Sequence, residues 1–251
     1  MANAYRTAHN LRVTLGLLFF ATCVAIAVIL PVVLLLGKGS SSSSSSGDEG
    51  TDAQTVTTNT YSCKYRTHSQ SSWGATCSSN NAACYRDNNF CTCFTKGVSI
   101  GCGPVGKWLK FTNTTAVDAF LPKSGPASVL SARLKNPASG DAGTDGVFSG
   151  HLLAAKLNAG FDVCSSSFSS CSTPTSRLCF KSSSSPCVGY RVYQVISAAD
   201  YIIGNCGSNL CQTVAPTSLC NLSATQLSQC LEQFNQNYEG GTTDLGKMKV
   251  C

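Results

Sequence analysis

All but Cys23 of the chain's sixteen cysteines lie beyond residue 60, and this crowding limits what the chain can fold into more than any other feature. Cytosolic thiols stay reduced and seldom accumulate without metal-ligand spacing, so this density implies an oxidising compartment and a fold held by disulfides. The bridging candidates are Cys63, Cys77, Cys84, Cys91, Cys93, Cys102, Cys164, Cys171, Cys179, Cys187, Cys206, Cys211, Cys220, Cys230 and Cys251. Their number is odd, so one thiol remains after internal pairing. Cys251 is the natural candidate for a covalent link between two chains, with internal pairing to Cys206, Cys211 or Cys220 as the alternative. Zinc is the rival use of cysteines. Cys91-x-Cys93 lacks the usual two to four intervening residues, no matching pair follows, and the nearest histidine is His68, so no metal site is expected.

Topology is set by the N-terminus. Residues 13–36 read VTLGLLFFATCVAIAVILPVVLLL without a charge, long enough at about 1.5 Å per residue to cross a hydrocarbon core of about 30 Å. A cleaved signal has an apolar run of only ~7–15 residues before a small-residue cleavage site, whereas here Gly37, Lys38 and serines follow. An uncleaved signal-anchor helix contacting the lipid bilayer is expected, with a cleaved signal as the alternative. Arg6 and Arg12 precede the span and the acidic Asp48 and Glu49 follow it, so residues 1–12 are cytoplasmic and the rest is extracellular or lumenal, a type II single-pass arrangement. Pro31 is tolerable in lipid, because neighbouring groups re-satisfy the freed carbonyl. Cys23 reads as a small apolar residue or a palmitoylation site. Residues 37–60, GKGSSSSSSSGDEGTDAQTVTTNT, bury too little apolar surface to offset ordering entropy, so a flexible stalk is expected, open to O-glycans.

The disulfide-rich domain is expected over residues 61–241, with 242–251 as a tail. Its first part, through Cys102, is Asn-, Ser- and Gly-rich and reads as loops and short strands, with Val98 and Ile100 on one strand face. Helical spacing follows. TNTTAVDAFLP has capping residues at its start and Pro122 as its stop, and Leu130, Ala132 and Leu134 alternate as a short strand. In VFSGHLLAAKLNAGFD, residues 147–162, apolar residues occupy most of the circumference, which marks a helix central to a core. Residues 164–187 read as an exposed serine-rich loop of freely variable length. Val192, Val195, Ile196, Ala199, Ile202 and Ile203 define a third long helix capped by Gly204. A fourth opens with the capping box Ser223-Ala-Thr-Gln226 and buries Leu227, Cys230, Leu231, Phe234 and Tyr238. The fold class is α+β, mainly α, of about four helices with a small N-terminal β/loop subdomain.

Chemistry is sparse. His151 and Asn158 stand seven apart on one helix face and can form a polar pair or a ligand contact, but G-x-S-x-G is missing and no acid is spaced to orient the imidazole. No catalytic residue and no cofactor are expected, and an enzyme would need His151 and Asp162 in one polar pocket. Asn113-Thr-Thr and Asn221-Leu-Ser are N-glycosylation sequons, both at expected helix starts where the side chain is also a capping group. The net charge of +6 is scattered over the chain without basic runs, which argues against nucleic acid.

SQSSWGATC, FTKGVSIGC, LKFTNTTAVDAFLPKSGPASVLSARLKNP, GVFSGHLLAAKLNAGFD, YRVYQVISAADYIIG and LSATQLSQCLEQFNQNYEGG, in this order, resemble an uncharacterised extracellular module of bacterial and of protist or algal surface proteins. The resemblance spans residues 61–241 and is most specific at LNAGFD and Asn235-Gln-Asn237-Tyr. It departs at His151, where Gln is more usual, and in the added cysteines of 164–187. It implies a surface or adhesion-type module and carries no catalytic residue.

The expected function is structural: a membrane-anchored glycoprotein whose domain self-assembles with, or attaches to, protein partners in a cell-surface layer, an appendage or a virion shell. The alternative is adhesion or receptor binding of a ligand such as a glycan through exposed Trp73, Tyr85 or Trp108.

Overall fold

The computed structural model describes residues 63–251 apart from 104, 145 and 182. The expected anchor helix and stalk lie outside the described residues; among those described, no helix is long and apolar enough to cross a membrane.

The domain is α+β and mainly helical, as its spacing predicts. Its elements in chain order are α1 (Gln70–Trp73), α2 (Ala82–Cys93), β1 (Val98–Gly101), β2 (Trp108–Phe111), α3 (Thr114–Phe120), β3 (Arg133–Lys135) and α4 (Val147–Cys164). A 3-10 turn (Thr175–Arg177), β4 (Cys179–Phe180), α5 (Val192–Ile203), α6 (Ser208–Cys211), α7 (Thr217–Cys220), α8 (Ala224–Asn237) and β5 (Met248–Lys249) follow. All four expected helices are present as α3, α4, α5 and α8. Helix α4 is the axle of the core: Phe148, Leu152, Leu153, Ala154, Ala155, Leu157 and Phe161 are buried around its circumference. Helices α5 and α8 pack on it and on each other. Each fully buried Phe or Leu stabilises by about 1.5–3 kcal/mol relative to exposure. The capping box of α8 forms as spaced, Ser223 accepting from the Gln226 amide and the Gln226 side chain from that of Ser223.

Helix α2 departs from the loop expected there. AACYRDNNFCTC has no strong apolar stripe, because its buried face mixes Phe90 and small residues with the buried Arg86, which donates to the Trp73 carbonyl, and with Tyr85. Asn81 caps it by accepting from the Cys84 amide at 3.1 Å, and two disulfides, Cys77–Cys84 and Cys93–Cys164, pin its ends. Covalent pinning replaces the amphipathicity that sequence reading looks for.

Two sheets complete the domain. In the first, β2 lies between β1, antiparallel, and β3, parallel. Val98, Ile100, Leu109 and Phe111 face the core, as the alternation at Val98 and Ile100 implies. The strand expected from Leu130 to Leu134 is displaced to Arg133–Lys135, with Leu130 buried before it. The second sheet pairs β4 with β5. Residues 242–251 are therefore no tail: Met248 is buried and β5 closes the fold.

The domain has seven disulfides: Cys63–Cys171, Cys77–Cys84, Cys93–Cys164, Cys102–Cys206, Cys179–Cys251, Cys187–Cys230 and Cys211–Cys220. Cys251 corrects the expectation of an interchain link, and its partner is none of the three alternatives. The β4–β5 pairing sets Cys179 opposite Lys249, two residues away, and Cys251 bridges back to Cys179. Cys91 lies outside these pairs, on the exposed face of α2. Residues 164–187 are also more fixed than expected. Phe168, Thr175, Leu178 and Phe180 are buried and four bridges leave the segment, so its serines form a surface over an anchored strap.

Candidate functional site

Sequence reading singles out the end of α4, and there the structure builds a buried polar clamp. Asn158 is fully buried and its amide makes four hydrogen bonds. Its Oδ1 accepts from the His68 backbone amide at 2.8 Å and from Trp73 Nε1 at 3.1 Å. Its Nδ2 donates to the His68 carbonyl at 2.9 Å and to Asn235 Oδ1 at 3.0 Å. Asn235 Nδ2 donates onward to the His151 carbonyl at 2.9 Å. These bonds tie α1, α4 and α8 into one unit and leave both Asn158 lone-pair sites and both amide protons occupied.

The clamp continues around α1. Glu239 accepts from Ser72 Oγ at 2.7 Å and from the Ser69 amide at 2.8 Å, with His68 Nδ1 at 3.3 Å. Burial alone would raise its carboxyl pKa, but the hydrogen bonds from His68, Ser72 and Ser69 together outweigh it and hold the pKa below the ordinary value. Thr67 joins the chain after α8 through Tyr238 and Gly240 backbone bonds, both 3.0 Å. Asn237 receives the Lys247 amide at 2.8 Å, which fastens the approach to β5. Gly74, next to Trp73, lies against the Leu121 backbone so closely that any Cβ there would collide. The W-G, F-L-P, LNAGFD and Asn235-Gln-Asn237-Tyr pieces, far apart in sequence, thus meet at one joint.

The expected His151–Asn158 side-chain pair does not form. Asn158 is consumed by His68, Trp73 and Asn235, and His151 joins through its carbonyl alone. The His151 imidazole is buried, and its Nδ1 has no hydrogen-bond partner among the described residues. Burial lowers its pKa, partly opposed by the nearby Glu232 charge. Asp162 stands eleven residues further along the helix, about 16 Å at 1.5 Å per residue. Its carboxylate receives the Thr175 amide at 2.5 Å and the Thr175 hydroxyl at 2.9 Å, which fixes the 3-10 turn. Neither residue is placed to orient the other for proton transfer.

The remaining candidates separate clearly. Asn113 caps α3, its Oδ1 accepting from the Ala116 amide at 2.8 Å, whereas Asn221 ends α7 with an exposed side chain and Ser223 caps the helix that follows. Trp73 is fully buried and Tyr85 packs on Phe161 and Phe168. Trp108 is half-buried and stays outside the core cluster, on the outward face of β2. An open concavity of about 460 Å³ lies beside Lys123, Gly125 and Gly146. Lys123 Nζ is already engaged there, donating to the Ser139 carbonyl and Thr144 Oγ1 and lying over the Phe120 ring.

Sequence reading passed over two groups. His68 and Glu239 belong to the clamp, and no short-range pattern joins residues 171 positions apart. The outer face of the β1–β2–β3 sheet carries Trp108, Lys110, Arg133 and Lys135. Its signal is the alternation in WLKF and in RLK, and only the second falls in an expected strand. Comparisons with protein-family models, curated proteins and solved structures find no match for this chain.

Proposed function

We propose that this chain is a membrane-tethered attachment module, held outside the cell by residues 13–36 on the serine stalk, which works by non-covalent contact of its outer surface. The observation that carries this reading is the clamp. The residues nominated for chemistry, His151, Asn158 and Asp162, are buried or occupied in holding elements together, as are Asn235 and Asn237 of the resembling motif. With Cys251 tied to Cys179, the covalent route through the last residue is taken up internally, which favours attachment over polymerisation through Cys251. Seven bridges around one core suit a domain exposed to proteases and shear. The test displays the full chain on cells that lack it and measures retention on its native extracellular surface under flow. Retention that persists without free thiols supports the module. Retention no greater than that of cells displaying the anchor and stalk alone would overturn it.

A further inference from the structure

We propose that the outward face of the β1–β2–β3 sheet binds an acidic polysaccharide, one bearing uronate carboxylates or sulfate esters. The inference rests on the attachment reading above and names its partner. The strand register brings the groups together: Trp108 is paired with Arg133 and Lys110 with Lys135. Neighbouring strands are about 4.8 Å apart and alternate residues about 6.6 Å, so the four side chains form a compact rectangle on one face.

The rectangle is costly to the fold alone. Like charges directly opposite on adjacent strands repel, and Lys110 and Lys135 face each other with no salt bridge to either among the described residues. The nearest register position on the other side is Ser99, opposite Lys110, so the third strand brings no acid to the face. Arg133 is exposed and steadied by its Nε donating to the Gly106 carbonyl at 2.8 Å. Trp108 packs in no aromatic pair and makes no hydrogen bond through Nε1 among the described residues, unlike Trp73, whose indole is wholly committed inside. A large aromatic left outside the core beside Lys110 and Lys135 is unexplained by stability.

The chemistry selects the occupant. The electron-rich indole face suits the polarised C–H groups of a pyranose ring, and the flanking ammonium and guanidinium groups suit carboxylate or sulfate on the same or the next sugar. Nucleic acid fits less well, because a single exposed ring offers no stacking platform for successive bases, and the seven disulfides place the domain outside the cell.

The experiment measures binding of the full chain, in non-ionic detergent, to heparin and to polygalacturonate, with neutral dextran as control. Binding to at least one acidic polymer and none to dextran is expected, weakening as salt rises. Lys135→Glu should weaken it at least tenfold and, by placing opposite charges across the strands, raise the melting midpoint; Trp108→Ala should weaken it severalfold. Lys64→Glu, away from this face, should leave binding nearly unchanged. Equal losses in the Lys135 and Lys64 variants would mean general charge attraction and overturn the site, as would wild-type binding by the Lys135 variant. If neither polymer binds while displayed cells still hold to their native surface, this inference fails and the attachment reading stands; if both fail, both fall.

Discussion

The clamp and the outer sheet face both gather polar side chains and use them in opposite ways. Inside, Asn158 and Asn235 meet partners on α1, α4 and α8, and a low-dielectric interior makes each bond expensive to lose. Outside, Lys110 and Lys135 face each other in water, where their repulsion is weak enough to tolerate and their charge remains open to a ligand. The difference separates groups that specify the fold from groups that the fold merely displays. It also explains why a pattern can be specific without being chemical: the Asn positions are demanding because only an amide supplies two donors and two acceptors in one plane.

Removing the centre of the clamp is the strongest way to break this comparison. Asn158→Ala would strand the His68 amide and carbonyl, Trp73 Nε1 and Asn235 Oδ1 in the interior. At about 1–3 kcal/mol for each buried unsatisfied group, the expected loss is about 5 kcal/mol, a large part of a domain's whole stability. Urea unfolding of the oxidised chain measures it. A loss under 1 kcal/mol would show that the amide is not the joint.

The bridges give the next test, because they too divide by what they hold. Cys179–Cys251 spans 72 residues and secures β5, while Cys211–Cys220 spans 9 and joins α6 to α7. Loop-closure entropy assigns about 4 kcal/mol to the longer and about 2.5 to the shorter. Replacing each pair by serines should therefore destabilise in that order. The longer pair should also release β5, seen as faster hydrogen exchange at Met248 and at Lys181, whose amide donates to Lys247. The reverse order would mean that β5 stays docked without its covalent tie.

Much of this architecture was legible in the sequence, and the gaps have physical causes. Helices α4, α5 and α8 announce themselves because their apolar residues keep helical spacing, and α8 adds a capping box. Helix α2 is silent because disulfides and an asparagine cap replace the apolar stripe. The partner of Cys251 was illegible because connectivity depends on tertiary pairing of strands too short to read, only two residues each in β4 and β5. At the site, Asn158 and Asn235 stood out, but Glu239 and His68 did not, since only the folded chain brings residues before α1 to the end of α8.

The smallest effect concerns His151, which lies next to the clamp without belonging to it through its side chain. Its pKa in the fold is below the unfolded value of about 6.5, so the unfolded chain binds that proton more readily. Stability from keeping the ring neutral is full above pH ~6.5 and is lost as pH falls through and below it toward the folded value. Glu239 is also depressed, below an unfolded value of about 4.3, so its contribution is full above that pH and is lost only on further acidification. Asp200, raised chiefly by burial although the Lys156 charge lowers it, works the other way: its contribution is present at low pH and lost as pH rises through its folded value. Two limbs follow, an upper one from His151 that begins below pH ~6.5 and a lower one from Glu239 that begins below pH ~4.3. His151→Gln keeps the carbonyl that Asn235 Nδ2 uses, so it should flatten the limb that begins as pH falls below about 6.5 and leave the lower limb intact. Glu239→Gln should do the converse. Urea midpoints across this pH range decide it: an unchanged upper limb in His151→Gln would mean that the ring is protonated as easily in the fold as outside it, and the division between clamp and bystander would have to be redrawn at that residue.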